Sequence, residues 1–236
     1  MVKKIQKELR QAANHEKAKL LQRFFKTGKG EYAEGDRFLG VMVPQTRKLV
    51  KKYWEEISSR ETQELLNGEF HEERLLALLI LVKKFKKGDD EVKKEIFDLY
   101  LANTKSINNW DLVDLSAPRI AGAYLENRDR SVLVKLAKSK SLWERRISIL
   151  ATFWFIGKGE SEFALKIAGI LVDDNHDLIH KAVGWMLREI GKRCGQEIEE
   201  AFLLKHCKTM PRTMLRYAIE RFDTARKRYF LAAKLT

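Results

Sequence analysis

Trp110-Asp-Leu-Val-Asp-Leu115 reads as the opening of a helix, with Trp110 and Asp114 four residues apart. Residues at that spacing share one helical face, so an aromatic plane and a carboxylate project together. Outward from this stretch the pattern recurs: Arg74-Leu-Leu-Ala-Leu-Leu79 upstream, then Arg146-Ile-Ser-Ile-Leu150, Lys181-Ala-Val-Gly-Trp185 and Arg216-Tyr-Ala-Ile-Glu220 downstream. The leading residues are spaced by 36, 36, 35 and 35 positions. A fixed period of that size, with two helices per unit, predicts a solenoid of helix pairs.

The rest of the sequence agrees with an all-α reading. Apolar residues recur at i, i+3, i+4 through Ile5, Leu9 and Ala12 and again through Ala18, Leu21, Phe24 and Phe25, and no stretch alternates over a strand's length. Thr27 to Gly35 is expected to be a loop, and Pro44 suits the first turn of a helix carrying Arg47, Lys48, Lys51 and Lys52. Breaks are expected near Gly68, Gly88, Asn127 to Asp129, Gly157 to Gly159, Asp173 to Asn175 and Thr209 to Pro211. The period is close to that of HEAT or armadillo repeats, somewhat shorter, and the expectation is one helical-repeat domain over residues 1–236.

Charge narrows the partner. The 236 residues carry 46 Lys and Arg against 33 Asp and Glu, a formal net charge of +13, which favours a polyanion, nucleic acid before an acidic membrane surface. No apolar run is long enough to cross a bilayer, and Met-Val-Lys-Lys-Ile-Gln-Lys-Glu8 lacks a signal-peptide core; a cytoplasmic protein acting as a monomer is expected. Cys194 and Cys207 have no paired spacing, and His176 and His180, though four apart, lack further ligands. Neither a metal nor a cofactor is expected.

In a solenoid, equivalent residues of successive units line one inner face. Arg74, Trp110, Arg146, Lys181 and Arg216 would then form a row along a basic concave groove; the alternative is that they are boundary positions whose stems lie over the core. Lys181, Trp185, Arg188 and Lys192 share a stripe of one helix, and Gly184 within it suggests a close approach of backbone or ligand. Arg145 and Arg146, being adjacent, point apart, so that one can reach phosphate while the other anchors the core. Arg47 and Lys48 suit either phosphate contact or a solvated face. Ser106 or Asn108 is expected to cap the helix holding Trp110, with Asp111 in its first turn, and Asp114, set between Val113 and Leu115, needs a partner such as Arg119 or Arg146.

Five pieces together carry a resemblance: Phe38-Leu-Gly-Val-Met-Val-Pro44 with Arg47, Lys105-Ser-Ile-Asn-Asn-Trp-Asp-Leu-Val-Asp114, Leu142-Trp-Glu-Arg-Arg-Ile147, Lys181-Ala-Val-Gly-Trp-Met-Leu-Arg-Glu189 and Pro211-Arg-Thr-Met-Leu-Arg216. In this order they resemble the AlkD-type DNA alkylation repair family, DNA glycosylases built from HEAT-like repeats. The resemblance implies that Trp110 and Trp185 are the family's cleft tryptophans, Asp114 its catalytic carboxylate and Arg146 the accompanying arginine. It further implies double-stranded DNA containing N3- or N7-alkylated purines as substrate, with the glycosidic bond hydrolysed without base flipping. Departures are Asn109 where some members carry tryptophan, Val43 in place of threonine, and Phe24 where tyrosine is common. A non-catalytic nucleic-acid-binding module, or a scaffold with both tryptophans in its core, are the competing readings.

Overall fold

The computed structural model describes residues 1–232, which are helical throughout apart from turns, loops and an isolated bridge between Arg37 and Phe70. No helix among them is long and apolar enough to cross a membrane. The chain divides into two compact units, Met1–Ile120 and Ala121–Thr236. The first holds α1 (Val2–Gln11), α2 (His15–Phe24), α3 (Val43–Tyr53), α4 (Ser59–Leu66), α5 (His71–Lys87), α6 (Asp90–Ala102) and α7 (Trp110–Ser116). The second holds α8 (Ser131–Ala137), α9 (Leu142–Ala151), α10 (Phe153–Gly157), α11 (Glu162–Leu171), α12 (Asp177–Arg193), α13 (Gln196–His206), α14 (Arg212–Ala218) and α15 (Thr224–Ala232). The expected breaks fall between these helices, and the helix order is in keeping with HEAT-like repeats.

Each unit is built around one long helix. α5 packs against α1, α3, α4, α6 and α7, and its residues His71 to Leu81 are all buried. A helix apolar around most of its circumference needs neighbours on every side, which explains the unbroken Leu75 to Val82 run. In the second unit α12 has this place, packed against α9, α10, α11, α13 and α14. Gly184 is part of the reason: a Cβ there would stand 2.4 Å from the Met214 carbonyl oxygen and 2.5 Å from Tyr217 Cβ. The close approach expected at Gly184 is therefore that of the α14 backbone. Gly184→Ala gains about 1 kcal/mol of helix propensity but forces α12 and α14 apart, at a cost of roughly 1–3 kcal/mol beyond that gain. Thermal unfolding should show a Tm lower by several degrees, roughly 2–4 °C per kcal/mol for a chain of this size.

The helix starts refine the repeat. Trp110 is the first residue of α7 and Arg74 the fourth of α5, whereas Arg146, Lys181 and Arg216 are each the fifth residue of their helices. Counted from the helix start, the residue of α7 equivalent to those three cations is Asp114, not Trp110. The offset of four residues exceeds the one or two by which helix ends are ambiguous. An acid thus stands at the register where the other helices place a base.

Candidate active site

α7 has only seven residues, too few to be stable as an isolated helix, so contacts at its ends decide where it sits. Neither Ser106 nor Asn108 caps it. Asn109 does: its side-chain oxygen accepts from the Trp110 N–H at 2.8 Å, while its amide donates to Asp36 Oδ2 at 3.2 Å. Leu112, Val113 and Ser116 bury the inner face, leaving Trp110, Asp111 and Asp114 partly exposed. A wider π-type turn, Pro118–Gly122, follows directly.

Trp110 lies on an aromatic cluster. Its ring stacks on Phe25 (centroids 5.3 Å apart, 26° between planes) and meets Phe24 edge-on at 6.0 Å. Phe25 in turn stacks on Phe38 at 5.0 Å. Phe24 itself is 63% exposed, so the cluster presents aromatic surface beside Trp110. An apolar cavity of about 130 Å³ lies among Phe24, Phe25, Phe38, Met42 and Leu75, with His71 and Asp111 also in its walls.

Asp114 is half-buried one turn along. Its negative charge reaches Tyr100: burial raises that phenol well above its ordinary range, the hydrogen bond with Ser116 opposes the rise, and Asp114 adds to it. Arg119, one of the two partners expected for Asp114, donates to the Leu115 carbonyl at 2.6 Å.

Beneath this surface is a buried ionic network that the sequence did not reveal. His71 contacts Asp36 Oδ2 through Nδ1 and Asp111 Oδ2 through Nε2, each at 2.9 Å. Arg74 also bonds Asp36 and donates to the Gly68 carbonyl at 3.0 Å. Asp36 is fully enclosed; burial pushes its carboxyl up, but His71, Arg74 and Asn109 together hold it below its ordinary value. For His71 burial acts downward, and the hydrogen bonds to Asp111 and Asp36 outweigh it, raising the pKa from 6.5 to about 9. A raised folded-state pKa adds stability that is complete below the unfolded value of about 6.5 and is lost as pH rises through about 9, some 3 kcal/mol in all. Urea unfolding measured across that window should show the decline, and His71→Gln should flatten it.

The loop after Asp36 explains the Phe38 to Pro44 motif. The N–H groups of Leu39, Gly40 and Val41 donate to the buried Glu72 carboxylate at 2.9, 2.8 and 3.1 Å. Gly40 has φ of +81°, and a Cβ there would stand 2.1 Å from the Asn14 carbonyl oxygen, so no other residue fits.

In the second unit Trp185 is half-buried against Phe153, centroids 5.7 Å apart. Arg146 is 5% exposed and donates to the Leu178 carbonyl at 2.5 Å. Neither tryptophan is sealed in a core, unlike the scaffold reading requires.

The expected phosphate-binding cations divide into two groups. Arg47, Lys48, Lys192 and Arg216 are exposed, and Lys181 forms a surface pair with Asp177 at 2.7 Å. Three others are engaged by carboxylates of the protein itself, where the sequence counted them as free cations. Arg74 is buried on Asp36; Arg145 bonds Asp174 at 2.6 Å and the Ser139 and Lys140 carbonyls; Arg188 is held by Glu220. These contacts hold the terminal nitrogens of Arg74 and Arg188, whose Nε atoms are buried without a hydrogen-bond partner. Of the adjacent pair, Arg145 and Arg146 are both anchored within the protein. His176 caps α12 by accepting from the Leu178 N–H.

A second feature went unread in the sequence. A groove of about 370 Å³ between α3 and α5 is floored by Val50, Leu79 and Val82 and edged by Arg47, Lys51, Lys83 and Lys86. No carboxylate lines it, and Lys83 lies 4.4 Å from the Trp54 ring centroid. Like charges at i, i+4 and i, i+3 disfavour the bare helices by a few tenths of a kcal/mol each, a cost that a bound polyanion would remove.

Comparison with known proteins identifies the family and the fold. A family model described as DNA alkylation repair enzyme matches residues 5–222. Among solved structures, a predicted DNA alkylation repair enzyme from Enterococcus faecalis is similar with a TM-score of 0.69 at 15% identity, over 90% of this chain and 97% of that one. AlkD2 from Streptococcus mutans is similar with a TM-score of 0.52 at 16% identity, over 87% and 97% respectively. No curated protein matches the sequence significantly.

Proposed function

Because the chain belongs to the DNA alkylation repair enzyme family, we propose that it is an alkylpurine DNA glycosylase hydrolysing the N-glycosidic bond of N3- and N7-alkylated purines in double-stranded DNA, without base flipping. The observation that carries this reading is α7, which sets the partly exposed Trp110 and the Asp114 carboxylate on consecutive turns above an anchored aromatic cluster.

The chemistry asks little of the protein. An alkylated purine is already a cation, so it departs without protonation, and the second carboxylate needed for ordinary glycoside hydrolysis is dispensable. The C1′–N bond breaks with its electron pair going to the base, which leaves neutral. Water adds to C1′ and releases a proton, leaving an abasic deoxyribose. Asp114 stabilises the oxocarbenium-like sugar and orients that water, and the face of Trp110 attracts the same positive charge.

Phosphates are held by the exposed cations Arg47, Lys48, Lys181, Lys192 and Arg216, to which the α3/α5 groove adds Lys51, Lys83 and Lys86. Deoxyribose edges would lie on its apolar floor. Each phosphate contact contributes about 0.9 to the slope of log affinity against log salt. Lys51→Glu combined with Lys83→Glu should lower that slope by about one to two and weaken binding to damaged and undamaged duplex alike; an unchanged slope removes the groove from the interface.

The direct test of the function is incubation with alkylated plasmid followed by alkali. Strand breaks confined to alkylated DNA are expected. Tight, salt-dependent binding without breaks would instead favour a non-catalytic binding module, which the groove alone would support.

A further inference from the structure

His71 performs no step in the chemistry above, yet it is buried and held through both ring nitrogens. We propose that His71 is a positioning residue: as an imidazolium clamped between Asp36 and Asp111, it fixes the first turn of α7 and thereby the ring of Trp110 and the carboxylate of Asp114. This rests on the reading of Trp110 and Asp114 as working residues.

The protonation state follows from the acceptors. Both ring nitrogens face carboxylate oxygens at 2.9 Å, and an ionised carboxylate only accepts. Both nitrogens must therefore carry hydrogen. The charges close on this basis: Asp36 and Asp111 are balanced by His71 and Arg74. Phe38 stacks on the imidazolium at 4.4 Å and 20°, and Phe25 lies at 5.1 Å, so the ring that supports Trp110 also rests on the cation.

Asp111 makes the dependence sharp. Its Oδ1 is buried with no partner, and its Oδ2 is held by His71. Loss of the His71 proton would leave a largely buried carboxylate facing a lone pair, at the N-terminal end of a seven-residue helix. The neighbouring groups cannot compensate. Glu72 is committed to the 39–41 loop, Arg74 to Asp36 and the Gly68 and Glu69 carbonyls, and Asn109 to Asp36 and the Trp110 N–H. α2 and the Phe25 that ends it bring only apolar side chains, Leu21, Phe24 and Phe25, to the cavity beside this contact.

Two readouts test the proposal. The first is independent of activity. In protein labelled with 5-fluorotryptophan, the resonance that disappears in Trp110→Phe should shift through one transition near pH 9. That transition should vanish in His71→Gln. It should also vanish in Asp111→Asn, where a neutral His71 can accept from the new amide; this variant keeps the test open should His71→Gln unfold.

The second readout is single-turnover base release at saturating protein, so that DNA affinity drops out. The rate should fall at least tenfold as pH rises through about 9, and Asp111→Asn should lose that alkaline limb. His71→Gln should lower the rate tenfold or more, with Kd for DNA changed less than twofold. A Trp110 resonance indifferent to pH and to His71→Gln overturns the proposal, whatever the activity. So does a Trp110 transition accompanied by release that stays flat through the same range. A Trp110 transition in a protein that releases no base supports the clamp while refuting the glycosylase reading.

Discussion

Asp114→Asn should lower base release from alkylated duplex DNA by about 100- to 1,000-fold, the loss seen when one preorganised electrostatic group at a developing charge is removed, while DNA affinity changes less than twofold. The amide is isosteric, so the fold survives: α7 is held by Leu112, Val113 and Ser116 on its inner face and by the Asn109 cap. A carboxylate with one negative charge is replaced by a neutral dipole, and the positive sugar in the transition state loses its counter-charge. The ground state loses much less, because the substrate's charge is spread over the purine. Single-turnover release with matched binding measurements separates the two, and equal rates would remove Asp114 from the chemistry.

Asp36→Ala should cost about 3–5 kcal/mol of stability, the range for removing one partner of a buried ion pair. Asp36 is enclosed and accepts from His71, Arg74 and Asn109 at once. Deleting it leaves His71 with Asp111 alone and Arg74 with only the Gly68 and Glu69 carbonyls, and removes the acceptor that holds the Asn109 cap of α7. Against a total stability of about 5–15 kcal/mol for a protein domain, this brings the first unit close to unfolding. Urea denaturation of that unit should show the midpoint falling accordingly, with Asp36→Asn intermediate because it keeps the shape and part of the hydrogen bonding. A change below about 1 kcal/mol would mean that the network is not sustaining the fold.

What the sequence made legible was local. Helix ends at Gly88, at Asn127 to Asp129 and at Gly157 to Gly159 are marked by residues that break or cap helices through their own backbone preferences. The 35–36-residue spacing came from apolar periodicity repeated along the chain, and α5 and α12 follow it. The shared helix of Trp110 and Asp114 is legible because four residues along a helix is a short-range relation.

What escaped reading depends on distant partners. The direction of Arg74, Arg145 and Arg188 is set by Asp36, Asp174 and Glu220, which lie 38, 29 and 32 residues away; composition counted all three as free positive charge. The cap of α7 depends on a distant partner for the same reason. Asn109 is chosen over Ser106 and Asn108 as cap because its amide also meets Asp36, 73 residues earlier. His71 carried one faint signal, its i, i+3 spacing from Arg74, which puts both side chains on the face that meets Asp36. The α3/α5 groove likewise needs Lys51 and Lys83 side by side, which no single helix pattern reveals.

The identity of what leaves the DNA decides the function most directly. Chromatography of the supernatant after incubation with methylated duplex should reveal free 3-methyladenine and 7-methylguanine, with abasic sites formed in equal number. Protein that is folded and bound to this DNA, yet releases neither base, would contradict it.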